Sequence, residues 1–220
     1  MKKKAVIFDL DGTLVDSIKD IAICMNKVLK ELDLQIHPEN EYPKFVGDGA
    51  LVLVKNAMPR DSAKESIEKA LELFLKYYET GVHENAKVYD GIYSMLDAIK
   101  NTDLKLAVLS NKPHKFTLEF IEYFFKDYPF VEVHGQKKEV PKKPNPAGAI
   151  NIANALKLNP KEIIFVGDTP TDINTAKNAG MSSIGVSWGY RDEKELILAN
   201  ADYIAKDTEQ LTQILLKNNV

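Results

Sequence analysis

Apolar residues recur at positions 18, 21, 22, 25, 28, 29 and 32. That is the three-and-four spacing of one helix face, and it predicts an amphipathic helix over 17–32. The same pattern predicts helices over 51–57 and 63–78, with no strand in this first third after Leu10. The opening run AVIFDL differs: it is apolar on both faces, as a central parallel strand is. Beyond Val88 the pattern changes again. The β-rich runs KLAVLS, FVEVHG, EIIFVGD, SSIGVS and ADYIA are each followed by an amphipathic or polar stretch. Strands alternating with helices of that length predict a parallel sheet with crossover helices. The expected architecture is α/β, with one domain built from 1–15 and 84–220 and a helical insert over 16–83. The polar stretch ETGVHENAK, 79–87, reads as the return hinge, and PRDSAKESIEK, 59–69, as a solvated helix start.

Composition narrows the function. The chain has 220 residues, 45% of them apolar, enough for a substantial core. Twenty-nine basic and 32 acidic residues leave a net charge of −3, so no basic stripe points to nucleic acid. Cys24 is the single cysteine. It falls on the amphipathic run, where it reads as a packing thiol, and its isolation fits a reducing compartment. The apolar stretch in MKKKAVIFDLDG is too short for a signal peptide and meets two aspartates. No segment reaches the ~20 apolar residues of a membrane span. A soluble cytoplasmic protein is expected.

Three predicted strands end unusually, and ligands of open α/β sheets bind outside the carboxyl ends of strands. The first runs into Asp9-Leu10-Asp11-Gly12-Thr13, another into Ser110-Asn111-Lys112, and a third into Gly167-Asp168-Thr169-Pro170-Thr171-Asp172. Lys143, in KKPNP, precedes a predicted helix. Taken singly, each has a plain reading: Asp11 before Gly12 is a turn, Asp168 a helix cap, Lys143 a surface charge. Together they would place four carboxylates, Ser110, Asn111 and one lysine on a single sheet edge. Such carboxylates repel one another unless a cation lies among them. An all-oxygen set with no His or Cys suits Mg²⁺, which takes one or two carboxylates plus a phosphate oxygen. Gly12 lets backbone N–H groups approach an anion, and Ser110, Asn111 and Lys143 would complete a phosphate cradle.

DLDGT, a strand ending in Ser-Asn, Lys-Pro and GDTPTD, in that order, resemble the four-motif pattern of the haloacid dehalogenase superfamily. The likeness spans essentially the whole chain. It implies a Rossmann-like core with a helical cap inserted after the first motif. It also implies roles: Asp9 as nucleophile, Asp11 as general acid and then base, and Thr13 positioning the phosphoryl group or Asp11. Ser110 would bind the phosphoryl oxygens and Lys143 would hold nucleophile and phosphoryl group by charge. Asp168 would bind Mg²⁺ beside Asp9 and the backbone carbonyl of Asp11, with Asp172 associated through a water or a neighbouring contact. Family dehalogenases lack the second aspartate and ion pumps have threonine there, so Asp11 implies phosphate-ester hydrolysis or transfer.

YPKFVGDGALVLVKNA, SNKP and the VSWGY loop are similar to the phosphoglycolate phosphatase group. The implied substrate is a small phosphorylated metabolite, 2-phosphoglycolate first, with a β-phosphoglucomutase-type mutase as the nearest alternative and a non-catalytic phosphate sensor as the other. Lys44, Asp48 and Lys55 are candidate substrate contacts from the cap, against a plainer reading as surface lysines and a helix cap. Trp188 and Tyr190 are expected to pack under the catalytic loops. His114 opens a predicted helix and reads as a capping or surface residue, and His37, His83 and His134 show no ligand-like spacing. The expected partner is that metabolite, with no nucleic acid or membrane, in a monomer or homodimer.

Overall fold

The structure, a computed structural model, describes residues 2–81 and 83–218. Val82, inside the expected return segment, lies outside the described residues. The first strand, β1 (Ala5–Phe8), is wholly buried and runs into Asp9. After the turn at Gly12 come β2 (Val15–Asp16), α1 (Ile18–Glu31), a 3-10 turn at Glu39–Lys44, α2 (Ala50–Ala57) and α3 (Lys64–Thr80). Then β3 (Lys87–Val88) returns antiparallel to β2, with Val15 opposite Val88 and Asp16 opposite Lys87. The sequence pattern predicts no strand at β2. Two residues carry no periodicity, and the pairing exists because outgoing and returning chains run side by side.

From there strand and helix alternate: α4 (Ile92–Ile99), β4 (Lys105–Pro113), α5 (His114–Phe125), β5 (Phe130–Gln136), α6 (Ala147–Leu156), β6 (Ile163–Gly167), α7 (Pro170–Ala179), β7 (Ser182–Val186), α8 (Glu193–Leu198), β8 (Tyr203–Ala205) and α9 (Thr208–Asn218). The six-stranded sheet has the order β5-β4-β1-β6-β7-β8, and every pairing in it is parallel. β1 is central, with β4 on one side and β6 on the other, so the strand order reverses beside Asp9. Open α/β sheets form their binding crevice at such a point.

Alternate residues of β1 feed two cores, as the period of a strand requires. Val6 and Phe8 join an apolar cluster that continues into α1, α2 and α3 through Met25, Leu53 and Phe74. Ala5 and Ile7 face the cluster under α6 and α7, with Ile152 and Ala176. Cys24 packs in the first cluster, where burial pushes its thiol up to about 11. Asp20, buried in the first turn of α1, accepts hydrogen bonds from the backbone N–H of Asn85 and Ala86 and from the Asn85 side chain. It thereby fastens the return segment to α1. Among the described residues, no helix is long and apolar enough to cross a membrane.

Candidate active site

The strand ends bring the buried Asp9, Asp168 and Asp172 together, with one oxygen of each within 4.8 Å of the others. Lys143 Nζ reaches into this group, 2.9 Å from Asp9 Oδ1 and 2.6 Å from Asp172 Oδ1. Asp9 Oδ1 also accepts the Leu10 N–H at 2.7 Å. Its other oxygen carries no hydrogen bond among the described residues, and Asp9 lines the cleft described below. Asp172 has both oxygens engaged, since Oδ2 accepts the Thr169 N–H and hydroxyl, the capping box of α7. Asp168 accepts from Thr13 Oγ1 at 3.2 Å and from the Tyr190 N–H at 2.7 Å.

Electrostatically the cluster is short of positive charge. Burial pushes the Asp9 carboxyl up to about 7 against the pull of Lys143, with Asp172 adding to the rise. Burial also holds Asp168 well above the carboxylate range, with Asp172 and Asp9 reinforcing it. Burial opposes the charge on Lys143, but Asp172 and Asp9 outweigh it and raise the ammonium above an ordinary lysine. Three buried carboxylates facing one ammonium fit a bound cation, and an all-oxygen donor set fits a hard divalent one. Backbone closeness serves the same place. A Cβ on Gly12 (φ +85°) would run into the Asp168 carboxylate, and one on Gly189 into Gly12 O and Asp168. Only glycine permits both that conformation and that approach.

Asp11 turns the other way, toward the helical segment. Its Oδ1 accepts the Ser17 hydroxyl at 2.5 Å, and Lys112 Nζ lies 3.0 and 3.2 Å from its two oxygens. The Tyr190 hydroxyl accepts the Ser17 N–H, and Trp188 Nε1 donates to Thr13 O at 3.1 Å. Both aromatics therefore brace the Asp11–Ser17 turn. Sequence reasoning named neither Ser17 nor Lys112 as functional. Tyr78, whose hydroxyl is 2.5 Å from Lys112 Nζ, was equally hidden. The available signal was SNKP, a lysine two residues after Ser110. Tyr78 sits on the apolar face of α3 and reads as core.

The cleft is lined by Asp9, Asp11, Ser110, Asn111 and Lys112 from the sheet edge and by apolar residues of the insert. Asn111 works on the protein: its amide donates to Gly47 O and Lys143 O, and its Oδ1 accepts the Lys143 N–H. Lys44 and Lys55 are exposed and do not line the cleft. Asp48 does not line it either; its carboxylate accepts from Thr171 Oγ1 and its carbonyl from Lys142 Nζ. Arg191 adds donors to Pro43 O and Val46 O. The loop over the sheet edge is thus tied down by four side chains from four segments of the core, Asn111, Lys142, Thr171 and Arg191. The histidines lie elsewhere: His37 pairs with Glu41, His134 with Glu132, His83 lies tilted against Tyr123, and His114 accepts the Gly135 N–H.

The family model described as haloacid dehalogenase-like hydrolase matches residues 6–186. A phosphoglycolate phosphatase of Psychrobacter arcticus is 32% identical over 99% of this chain and 97% of its own length. One from Vibrio parahaemolyticus is 30% identical, covering 96% of both. A crystal structure from Haemophilus somnus, described as a predicted phosphoglycolate phosphatase, superposes with a TM-score of 0.90 at 30% identity, over 97% of this chain and 98% of that one. Motif, fold and relatives agree: the chain belongs to the haloacid dehalogenase-like hydrolase family and is one of its phosphatases.

Proposed function

We propose that this enzyme is a Mg²⁺-dependent phosphatase of the cytoplasm that hydrolyses a small phosphate monoester, 2-phosphoglycolate first, through an aspartyl-phosphate on Asp9. The observation that carries this reading is the division of labour between Asp9 and Asp11. Asp9 turns into the acidic cluster with one oxygen unencumbered, while Asp11, two residues on, turns toward the cleft's other wall.

In the first step an Asp9 oxygen attacks phosphorus and the ester P–O bond breaks. Asp11 gives a proton to the departing oxygen. In the second, Asp11 takes a proton from water, whose oxygen attacks the same phosphorus and releases inorganic phosphate and Asp9. Lys143 balances charge on Asp9 and the phosphoryl group, and Ser110 hydrogen-bonds the phosphoryl oxygens. Thr13 and Tyr190, bonded to Asp168, hold its carboxylate in place. Asp9, Asp168 and the Asp11 carbonyl would hold Mg²⁺, which when bound supplies neutralising charge to the phosphoryl group. Asp172, with both oxygens already engaged, would support the ion indirectly. Residues 16–83 would form a cap, closing on substrate through the β2–β3 ribbon.

The cleft favours hydrolysis over the mutase alternative. Its insert-side wall is Ile21, Val46, Gly47, Gly49, Ala50, Leu53, Phe74 and Tyr78. The Tyr78 hydroxyl is the single side-chain polar group there, whereas a sugar needs several hydroxyl partners. The cleft volume is about 60 Å³. A phosphate sensor would need no proton donor beside the nucleophile. The test is phosphate release from a panel of small phosphoesters by wild type and Asp9→Asn, with and without Mg²⁺. Mg²⁺-dependent release by wild type alone is expected. Equal turnover by Asp9→Asn would remove the nucleophile assignment, and preferred turnover of a sugar phosphate would remove the substrate assignment.

A further inference from the structure

Lys112 is the one cation lining the cleft among the described residues, and the chemistry above leaves it without a task. Its side chain is 3% exposed. It enters where β4 and β5 shift register between Leu109 and Pro113, an irregularity that re-aims side chains. The ammonium sits between two aromatic faces, 4.6 Å from the Tyr78 ring centre and 4.1 Å from that of Phe120. The Tyr78 hydroxyl stands 2.5 Å away, and its anionic partner is Asp11, at 3.0 Å. An ammonium so enclosed needs an anion, and removing the partner of a buried charge pair is costly.

That pairing creates a conflict. To protonate a leaving oxygen, Asp11 must turn from Lys112 toward the phosphoester, and the ammonium is then left between the Tyr78 and Phe120 rings without its anionic partner. A substrate carrying a second anion resolves it, because its own charge takes the place of the Asp11 carboxylate. We propose that Lys112 is a substrate-binding residue that exchanges Asp11 for a carboxylate on the leaving group, so that the substrate itself frees the proton donor. The substrates selected are phosphoesters of short hydroxy acids, with the carboxylate close to the ester oxygen. Esters of equal size with neutral leaving groups bind but leave Asp11 held. The selecting charge then lies near the end of β4, close to Ser110, and not on the exposed cap lysines Lys44 and Lys55.

This inference rests on the phosphatase reading, and the experiment separates the two. kcat/KM is measured for 2-phosphoglycolate and for ethyl phosphate, in wild type, Lys112→Met and Lys112→Arg. Lys112→Met should reduce the ratio of the two values by roughly 10²-fold, the scale for losing one partner of a buried charge pair. Lys112→Arg, which keeps the charge, should retain part of the preference. In wild type, free acetate should accelerate ethyl phosphate hydrolysis by supplying the missing anion, and in Lys112→Met it should not. An equal loss for both esters, with an unchanged ratio, would make Lys112 a structural residue and overturn the proposal. So would absence of acetate activation in wild type, a measurement that does not depend on the variant folding. If wild type hydrolyses neither ester nor any other phosphoester, the phosphatase reading itself falls.

Discussion

Lys143 Nζ lies 2.6 Å from Asp172 Oδ1, both side chains are buried, and the same nitrogen is 2.9 Å from Asp9. The pair locks the fourth motif to the third and presents the shared ammonium to the first. Lys143→Met should strand two buried carboxylates and destabilise the metal-free fold by ~3–5 kcal/mol, the cost of breaking a buried pair. Urea unfolding in chelator reads this directly. Wild-type stability in Lys143→Met would show that the carboxylates do not need this lysine.

Acidic clustering has a signed consequence for pH. Burial lifts Asp9 from 3.8 to about 7 and raises Asp168 as well. Between those pH values the folded chain binds more protons than the unfolded one, so stability falls as pH rises through the window. Without metal, the thermal midpoint should therefore be higher at pH 5 than at pH 7.5. Excess Mg²⁺ should shrink or reverse the difference, because a cation favours the ionised carboxylates. A metal-free midpoint that climbs across this range would contradict the proposed electrostatics.

The two aspartates of DLDG should separate by leaving group. On the proposed mechanism Asp11→Asn removes a proton donor and later a base, so phosphoglycolate turnover should slow by roughly 10²–10⁴-fold. Nitrophenolate departs without a proton. With p-nitrophenyl phosphate the variant should therefore release about one nitrophenolate per site in a burst and then stall, as expected of a trapped covalent intermediate. Stopped-flow absorbance follows both phases. A steady wild-type rate with no burst would strip Asp11 of both roles.

Arg191 donates to Pro43 O and Val46 O from the loop after β7. Arg191→Ala should loosen the loop over the sheet edge and reduce kcat/KM by ~10-fold, in proportion to charged hydrogen bonds. Backbone amides near 43–49 should exchange faster while those of β1 stay protected. Unchanged exchange at 43–49 would assign closure to Asn111, Lys142 and Thr171 instead.

Much of this enzyme is legible in the chain. The buried run AVIF, the alternation of β-rich and helical stretches, and the helix periodicity over 17–32 determine an α/β sheet with a helical insert, because burial imposes its period on sequence. Asp9, Ser110 and Asp168 also stood out, because polar residues closing apolar strands oppose the local preference; Lys143, in KKPNP between β5 and α6, stood out only by its order among the motifs. What only the tertiary structure decided is which way each group faces. It turned Asp11 from Asp9 toward Lys112, put Tyr78 of α3 against that lysine, and left Lys44 and Lys55 at the surface. Those outcomes depend on contacts between residues 34 to 101 positions apart, and a lysine or tyrosine carries the same local signature on a solvated face as at a reaction centre.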